Sequence, residues 1–175
     1  MKEYNQALKQ LQKDIQWREN NPEYKDDLTQ IAYEKVCLGY ILLFQKYLLN
    51  HNIQDSTIQK TFNEAVNKFQ QSGHYDYLPL SLLGRATLYT FTGEYSLAEI
   101  DLEEVQKMSK RHSMVLYEVD YELCYARLNF FKNQVDLSKK SLAKAKMLIN
   151  QTGYHRKDHE IQSMEILINM RSTWN

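Results

Sequence analysis

The chain has 175 residues, and its 22 Lys+Arg against 22 Asp+Glu give a formal net charge of zero. Proteins that bind a nucleic-acid duplex carry a basic surplus that displaces counterions, so no nucleic-acid partner is expected. With 5 Gly and 2 Pro there are few breakers, which favours one all-α domain over residues 1–175; the longest apolar run, Tyr40 to Phe44, is far too short to span a bilayer.

The first pattern covers residues 2–20. Tyr4, Ala7, Leu8, Leu11 and Ile15 share one face of a helix that Asn20-Asn21-Pro22 ends, because a residue before proline avoids the helical region. The segment is polar and amphipathic, without the apolar core of a secretory signal, and a cytoplasmic location is expected. Cys37 and Cys124 lie inside helical patterns and not in a C-x-x-C, so they read as small buried apolar residues in a reducing compartment. A long helix is expected from about Lys25 to Asn50, with Ile31, Ala32, Val36, Leu38, Leu42, Leu43 and Phe44 on it. Gly39 in its middle weakens it by about 1 kcal/mol relative to alanine, so a close packing contact is expected there. After a loop over residues 50–55, Ser56-x-x-Gln59 has the capping-box pattern. The helix it opens carries Ile58, Phe62, Ala65 and Phe69 and stops at Ser72-Gly73.

His74-Tyr75-Asp76 leads into a hairpin over residues 79–110. Leu82, Leu83, Ala86 and Tyr89 precede the stop at Gly93; Tyr95, Ala98, Leu102 and Val105 follow on the face of a second helix. Ala86, Tyr89, Gly93, Tyr95, Ala98 and Leu102 resemble a tetratricopeptide repeat, a helix–turn–helix unit whose small residues let its helices meet. Arg85, Val105 and Lys110 depart from that pattern. The Leu38-Gly39 pair resembles the start of another such unit, and Tyr4, Ala7 and Leu11 mirror Tyr95, Ala98 and Leu102. The first helix therefore reads either as an N-terminal cap or as half of a repeat belonging to a longer protein.

A third hairpin is expected at about 113–132 and 135–151, with Asn133 where the preceding one has Gly93 and Ser138 where it has Ala98. Ala65, Val105 and Ala145 are 40 residues apart, as are Phe62, Leu102 and Leu142, and Ala86 and Ala126. The step is longer than the family's 34 or so and implies longer helices or loops. A last amphipathic segment, 156–171, would cover the third hairpin as a cap does. The resemblance thus implies a right-handed α-solenoid of about three hairpins with flanking N- and C-terminal helices.

The second half is also similar to the tetratricopeptide tails of large bacterial signalling ATPases and regulators. Gly93-Glu94-Tyr95 with Leu102-Glu103-Glu104-Val105, Tyr125-Ala126-Arg127-Leu128, and Gly153-Tyr154-His155-Arg156-Lys157-Asp158 carry that likeness. It implies a module that docks partners while a separate domain does chemistry. No G-x-x-x-x-G-K-[ST] loop occurs, nor a nucleophile elbow, so no catalytic residue or cofactor is assigned and an enzyme is not expected. His155 and His159 stand four apart, but Arg156 and Lys157 between them oppose a dication, and no metal site is expected. Glu118, Asp120 and Glu122 with Asp101, Glu103 and Glu104 read as a solvated face.

In this family the first helices of successive hairpins line a concave groove. That register makes Tyr40 and Phe44, then Thr87, Thr90 and Phe91, then Asp120, Arg127, Phe130 and Phe131 the candidate binding residues. Leu43, Leu83 and Leu123 share the register and read equally as core. Adjacent Phe130 and Phe131 at a helix end cannot both face one core, so one ring is expected in solvent. Arg127 reads either as a ligand contact or as an internal pair with Asp120 or Glu122. The expected partner is a protein or peptide segment, with no membrane and an open oligomeric state. A regulatory tail of a larger signalling protein, and a peptide-pheromone-receptor-like module, are the alternatives; the second normally carries a DNA-binding helix-turn-helix, which is not seen.

Overall fold

Eight α-helices follow one another in the computed structural model, with no strand among the described residues. These are residues 2–21, 23, 24 and 26–173, the side chains of residues 2–5, 7, 172 and 173 excepted. The Tyr4 and Ala7 side chains, Pro22 and Lys25, to which the sequence assigned a helix face, a helix end and a helix start, therefore lie outside the description. The helices are α1 (Lys2–Asn20), α2 (Leu28–Tyr47), α3 (Asp55–Ser72), α4 (Leu78–Thr92), α5 (Tyr95–Arg111), α6 (Val115–Phe131), α7 (Val135–Thr152) and α8 (Asp158–Thr173). Short 3-10 turns, Tyr75–Tyr77 and His155–Lys157, lead into α4 and α8.

Helix ends recur with a fixed spacing. Gly73, Gly93, Ser113, Asn133 and Gly153 all have positive φ, at 73°, 81°, 55°, 63° and 71°. They stand 20 residues apart, so each helix-plus-turn from α4 to α7 is one 20-residue unit and two make the 40-residue step; the left-handed Asn50 before α3, at φ 53°, falls outside this spacing. A left-handed residue exposes the last carbonyls to the following N–H groups; Glu94 N donates to Tyr89 O, Met114 N to Ser109 O and Gln134 N to Asn129 O. Three boundaries differ from the sequence reading. Asp27, not a residue near 25, caps α2 by accepting from Gln30 N at 3.2 Å. Ser56 lies inside α3 and caps nothing, because the helix already begins at Asp55. Residue 113 ends the turn after α5 and does not open α6.

The chain divides into two compact units, residues 1–88 and 89–175, with the division inside α4. In the first, Ile31, Ala32, Val36, Leu42, Leu43, Ile58, Phe62, Ala65, Val66 and Phe69 form a buried core with Leu78, Leu82, Leu83 and Ala86. Burying each large side chain contributes about 1.5–3 kcal/mol. Phe62 lies against two helical glycines, Gly39 of α2 and Gly84 of α4. That contact is the packing reason the mid-helix Gly39 called for. Tyr33, Phe69 and Tyr77 make a second aromatic cluster, with Tyr33 edge-on to Phe69 at 5.5 Å and 4.9 Å from Tyr77. Ion pairs tie the helices along their rims: Arg18 to Glu34 at 2.9 Å, and Lys35 to both Glu19 and Glu64 at 3.1 and 2.6 Å.

In the second unit α6, α7 and α8 share a core of Val119, Leu123, Ala126, Leu142, Ala145, Leu148, Ile149, Tyr154, Ile161, Met164 and Ile168. Ala98, Leu102 and Val105 of α5 are also buried. Ser138, at the position where α5 has Ala98, uses its hydroxyl to donate to the Ala126 carbonyl of α6 at 2.7 Å. A small residue is thus kept at both contacts, and the polar one is satisfied. Neither cysteine is in a disulfide, and Cys37 is exposed while Cys124 is half-buried. The buried role expected for Cys37 is thereby corrected: its position on α2 faces solvent.

Candidate binding face of the second unit

Three aromatic rings meet where α6 ends. Phe91 of α4 and Phe131 of α6 stand edge to face at 5.5 Å, and Phe130 meets Phe131 in the same way at 6.0 Å. Two neighbouring residues of a helix point about 100° apart, so the two rings divide. Phe130 packs against the core of α6, α7 and α8, whereas Phe131 is 39 % exposed. The Phe131 carbonyl accepts from the Tyr95 hydroxyl at 3.3 Å, which ties the end of α6 to the start of α5. Lys132 pairs with Glu99 beside it.

The polar candidates of α6 are engaged within the fold. Lys157, from the turn before α8, contacts Asp120 at 3.2 Å and Glu160 at 2.7 Å. Arg127 donates to Glu160 at 3.5 Å. Arg171 lies 4.4 Å over the Phe130 ring and donates to the Phe130 carbonyl. The internal pair foreseen for Arg127 therefore exists with a different acid: Glu160 takes it, while Asp120 is held by Lys157 and Glu122 by Lys144 at 2.6 Å. The solvated acidic face needs the same correction. Asp101 and Glu122 are buried, and Asp120 is half-buried.

Electrostatics follow from this placement. Burial disfavours the Lys157 ammonium, but the Asp120 charge and the Glu160 hydrogen bond outweigh it and hold the pKa above the ordinary lysine value. Burial would raise the Glu160 carboxyl, yet Lys157 and Arg127 keep it below its usual range. At Asp120 burial wins over Lys157, and the carboxyl is raised.

The remaining candidates fall elsewhere. Tyr40 and Phe44 of α2 are exposed in the first unit, and the Tyr40 ring stands edge-on to Phe62 at 5.6 Å. Thr87 is half-buried and returns its hydroxyl to the Leu83 carbonyl at 2.8 Å. Thr90 is 2 % exposed and is removed from the set of solvent-facing residues, since its position on α4 turns inward. His155 sits in the 3-10 turn that runs into α8, and His159 in the helix itself. The His155 Nδ1 lies 3.1 Å from Asp158.

Sequence reasoning passed over Glu160 and Arg171, which hold Arg127 and Phe130, and named Lys157 only as a cation beside the histidines and in the family-like stretch, not as the partner of Asp120. The only signal of Glu160 and Arg171 was charge in a segment assigned to capping. It also passed over Gly84, although Leu83-Gly84 repeats the Leu38-Gly39 pair. Among the described residues no helix is long and apolar enough to cross a membrane. Compared with known proteins, the chain matches no family model, no curated protein and no solved structure.

Proposed function

We propose that this chain is a non-enzymatic binding module of tetratricopeptide type, a right-handed α-solenoid that captures a protein or peptide segment, and that Phe131 with Phe91 is the contact point in its second unit. One observation carries the reading: Phe131 keeps a large part of its ring in solvent while Phe91 and Phe130 fix it from two sides. A ring held rigid by aromatic neighbours loses little conformational freedom on contact, and such residues dominate interface energies. The left-handed residues every 20 positions support the repeat reading, since each closes one helix of a hairpin. The engaged state of Arg127 and Asp120 makes an apolar anchor, and not a salt bridge, the main attraction.

The test is partner capture by the full chain, with partners identified by cross-linking and mass spectrometry. Phe131→Ala and Phe91→Ala should keep the helical circular dichroism signal and lose at least about tenfold in affinity, the scale of an aromatic anchor. Lys107→Glu, at an exposed position of α5, should leave affinity unchanged. The opposite pattern would place the partner elsewhere and end this assignment.

A further inference from the structure

We propose that α8 and its leading turn are a displaceable internal cover over the face of α6 that carries Asp120, Arg127 and Phe130. Each of these three residues is met by a residue of that segment, and each contact is polar or ionic: Lys157 on Asp120, Glu160 on Arg127, Arg171 on Phe130. Lys146 of α7 adds a fourth, to Glu165 at 2.5 Å. The hold of α8 on the rest of the unit is thus divided between one apolar face, Ile161, Met164 and Ile168, and a row of charges.

Comparison with α6 shows why this helix is the one that moves. Val119 and Leu123 of α6 are core residues packed with α7. Forty residues on, the same helical positions of α8 are His159 and Ser163, both exposed. Ile166, Leu167 and Met170 also face solvent. So α6 is enclosed on more than one side, whereas α8 is anchored along a single stripe. Elements with few buried contacts open below the global unfolding free energy, and opening here uncovers α6 without dismantling the contact between α6 and α7. In the closed state the segment occupies Asp120, Arg127 and Phe130 of α6 and leaves the proposed Phe131–Phe91 anchor uncovered. The opening therefore does not rest on the binding reading above.

The experiment is hydrogen exchange of the full chain, followed by mass spectrometry at neutral pH, for wild type and Lys157→Met. Peptides within 158–171 of the wild type should exchange about tenfold or more faster than those in the middle of α6 and α7. Lys157→Met should speed exchange in α8 by about a further tenfold and leave α2 and α3 unchanged, and Lys157→Arg should return it to the wild-type rate. One common rate for α6, α7 and α8, in both wild type and variant, would show that α8 leaves only on global unfolding and would overturn the proposal. Should Lys157→Met lose its helical signal, Glu160→Gln takes its place with the same two outcomes. No partner enters the measurement, so it fails or succeeds separately from the binding assignment.

Discussion

A methyl group placed on Gly39 would lie 2.6 Å from the Phe62 ring, and one placed on Gly84 would lie 2.2 Å from it. Neither distance is tolerable, and the ring is fully buried, so it has no free space into which to turn. Alanine in place of a helical glycine gains about 1 kcal/mol of helix propensity, while overpacking a core costs about 1–3 kcal/mol. The closer approach decides the sign at Gly84. Gly84→Ala is therefore expected to destabilise the chain by about 1–2 kcal/mol in urea denaturation, and Phe62→Leu in the same chain should recover part of the loss. Strict additivity of the two changes would mean that they do not touch. Residue identity made one half of this contact legible. A glycine in mid-helix demanded a packing partner, but nothing local named Phe62, which comes from another helix. The exposure of Cys37 was unreadable for a related reason: periodicity assigns a face only once the neighbours of the helix are known.

Helix ends were more legible than helix starts. Glycine and asparagine announce a left-handed residue because their steric or hydrogen-bonding character tolerates it, and Gly73, Gly93, Asn133 and Gly153 all adopt it. Ser113 adopts it too, at φ 55°, without any such preference. It is strained by the order of 1–2 kcal/mol, which makes Ser113→Gly a stabilising change of about 1 kcal/mol after the extra entropy of the glycine is counted. Thermal denaturation should show the rise, and a lowered midpoint would mean that the Ser113 side chain contributes something its turn geometry does not reveal. Starts misled because competing side chains decided them. Asp55, bound by Lys46 and by the Tyr47 hydroxyl at 2.6 Å each, stands at the first position of α3, one residue ahead of the Ser56 that matched a capping box.

The attachment of α8 depends on pH. Glu160 has a lowered pKa in the folded chain, so its contribution is present above its ordinary value of 4.5 and is lost as the pH falls through the folded value. Asp120 acts in the opposite sense. Its raised pKa makes its contribution fullest below 3.8, and that contribution is lost as the pH rises through the folded value. Their trends partly cancel in the wild type, and Glu160→Gln separates them. The stability difference between wild type and Glu160→Gln should be greatest near neutrality and shrink steadily as the pH falls from 4.5. A difference that stays constant on acidification would place the Glu160 carboxylate outside the Lys157 and Arg127 contacts.

For the whole molecule, the 40-residue recurrence was the most informative feature of the sequence, because a repeat must bury the same positions each time. Ala65, Val105 and Ala145 are all fully buried, and Phe62, Leu102 and Leu142 nearly so. The candidate site was less legible. Phe91, Phe130 and Phe131 were found because a repeat offset and a two-face argument placed them. Arg127 and Asp120 were found without their partners, since ion pairs 33 and 37 residues apart leave no local pattern. The Gly84 contact gives a last consequence for the first unit. A proline at Leu88 of α4 would delete its backbone N–H and press its ring on the carbonyl of Gly84, the glycine that also receives Phe62. The break would cost about 3 kcal/mol. Leu88→Pro should therefore reduce the hydrogen-exchange protection of α2 and α3, whose core is built on Phe62. Val36→Ala, which opens a cavity in the same core, should weaken the same two helices. Unchanged protection of α2 and α3 in Leu88→Pro would mean that α4 does not hold Phe62 in place.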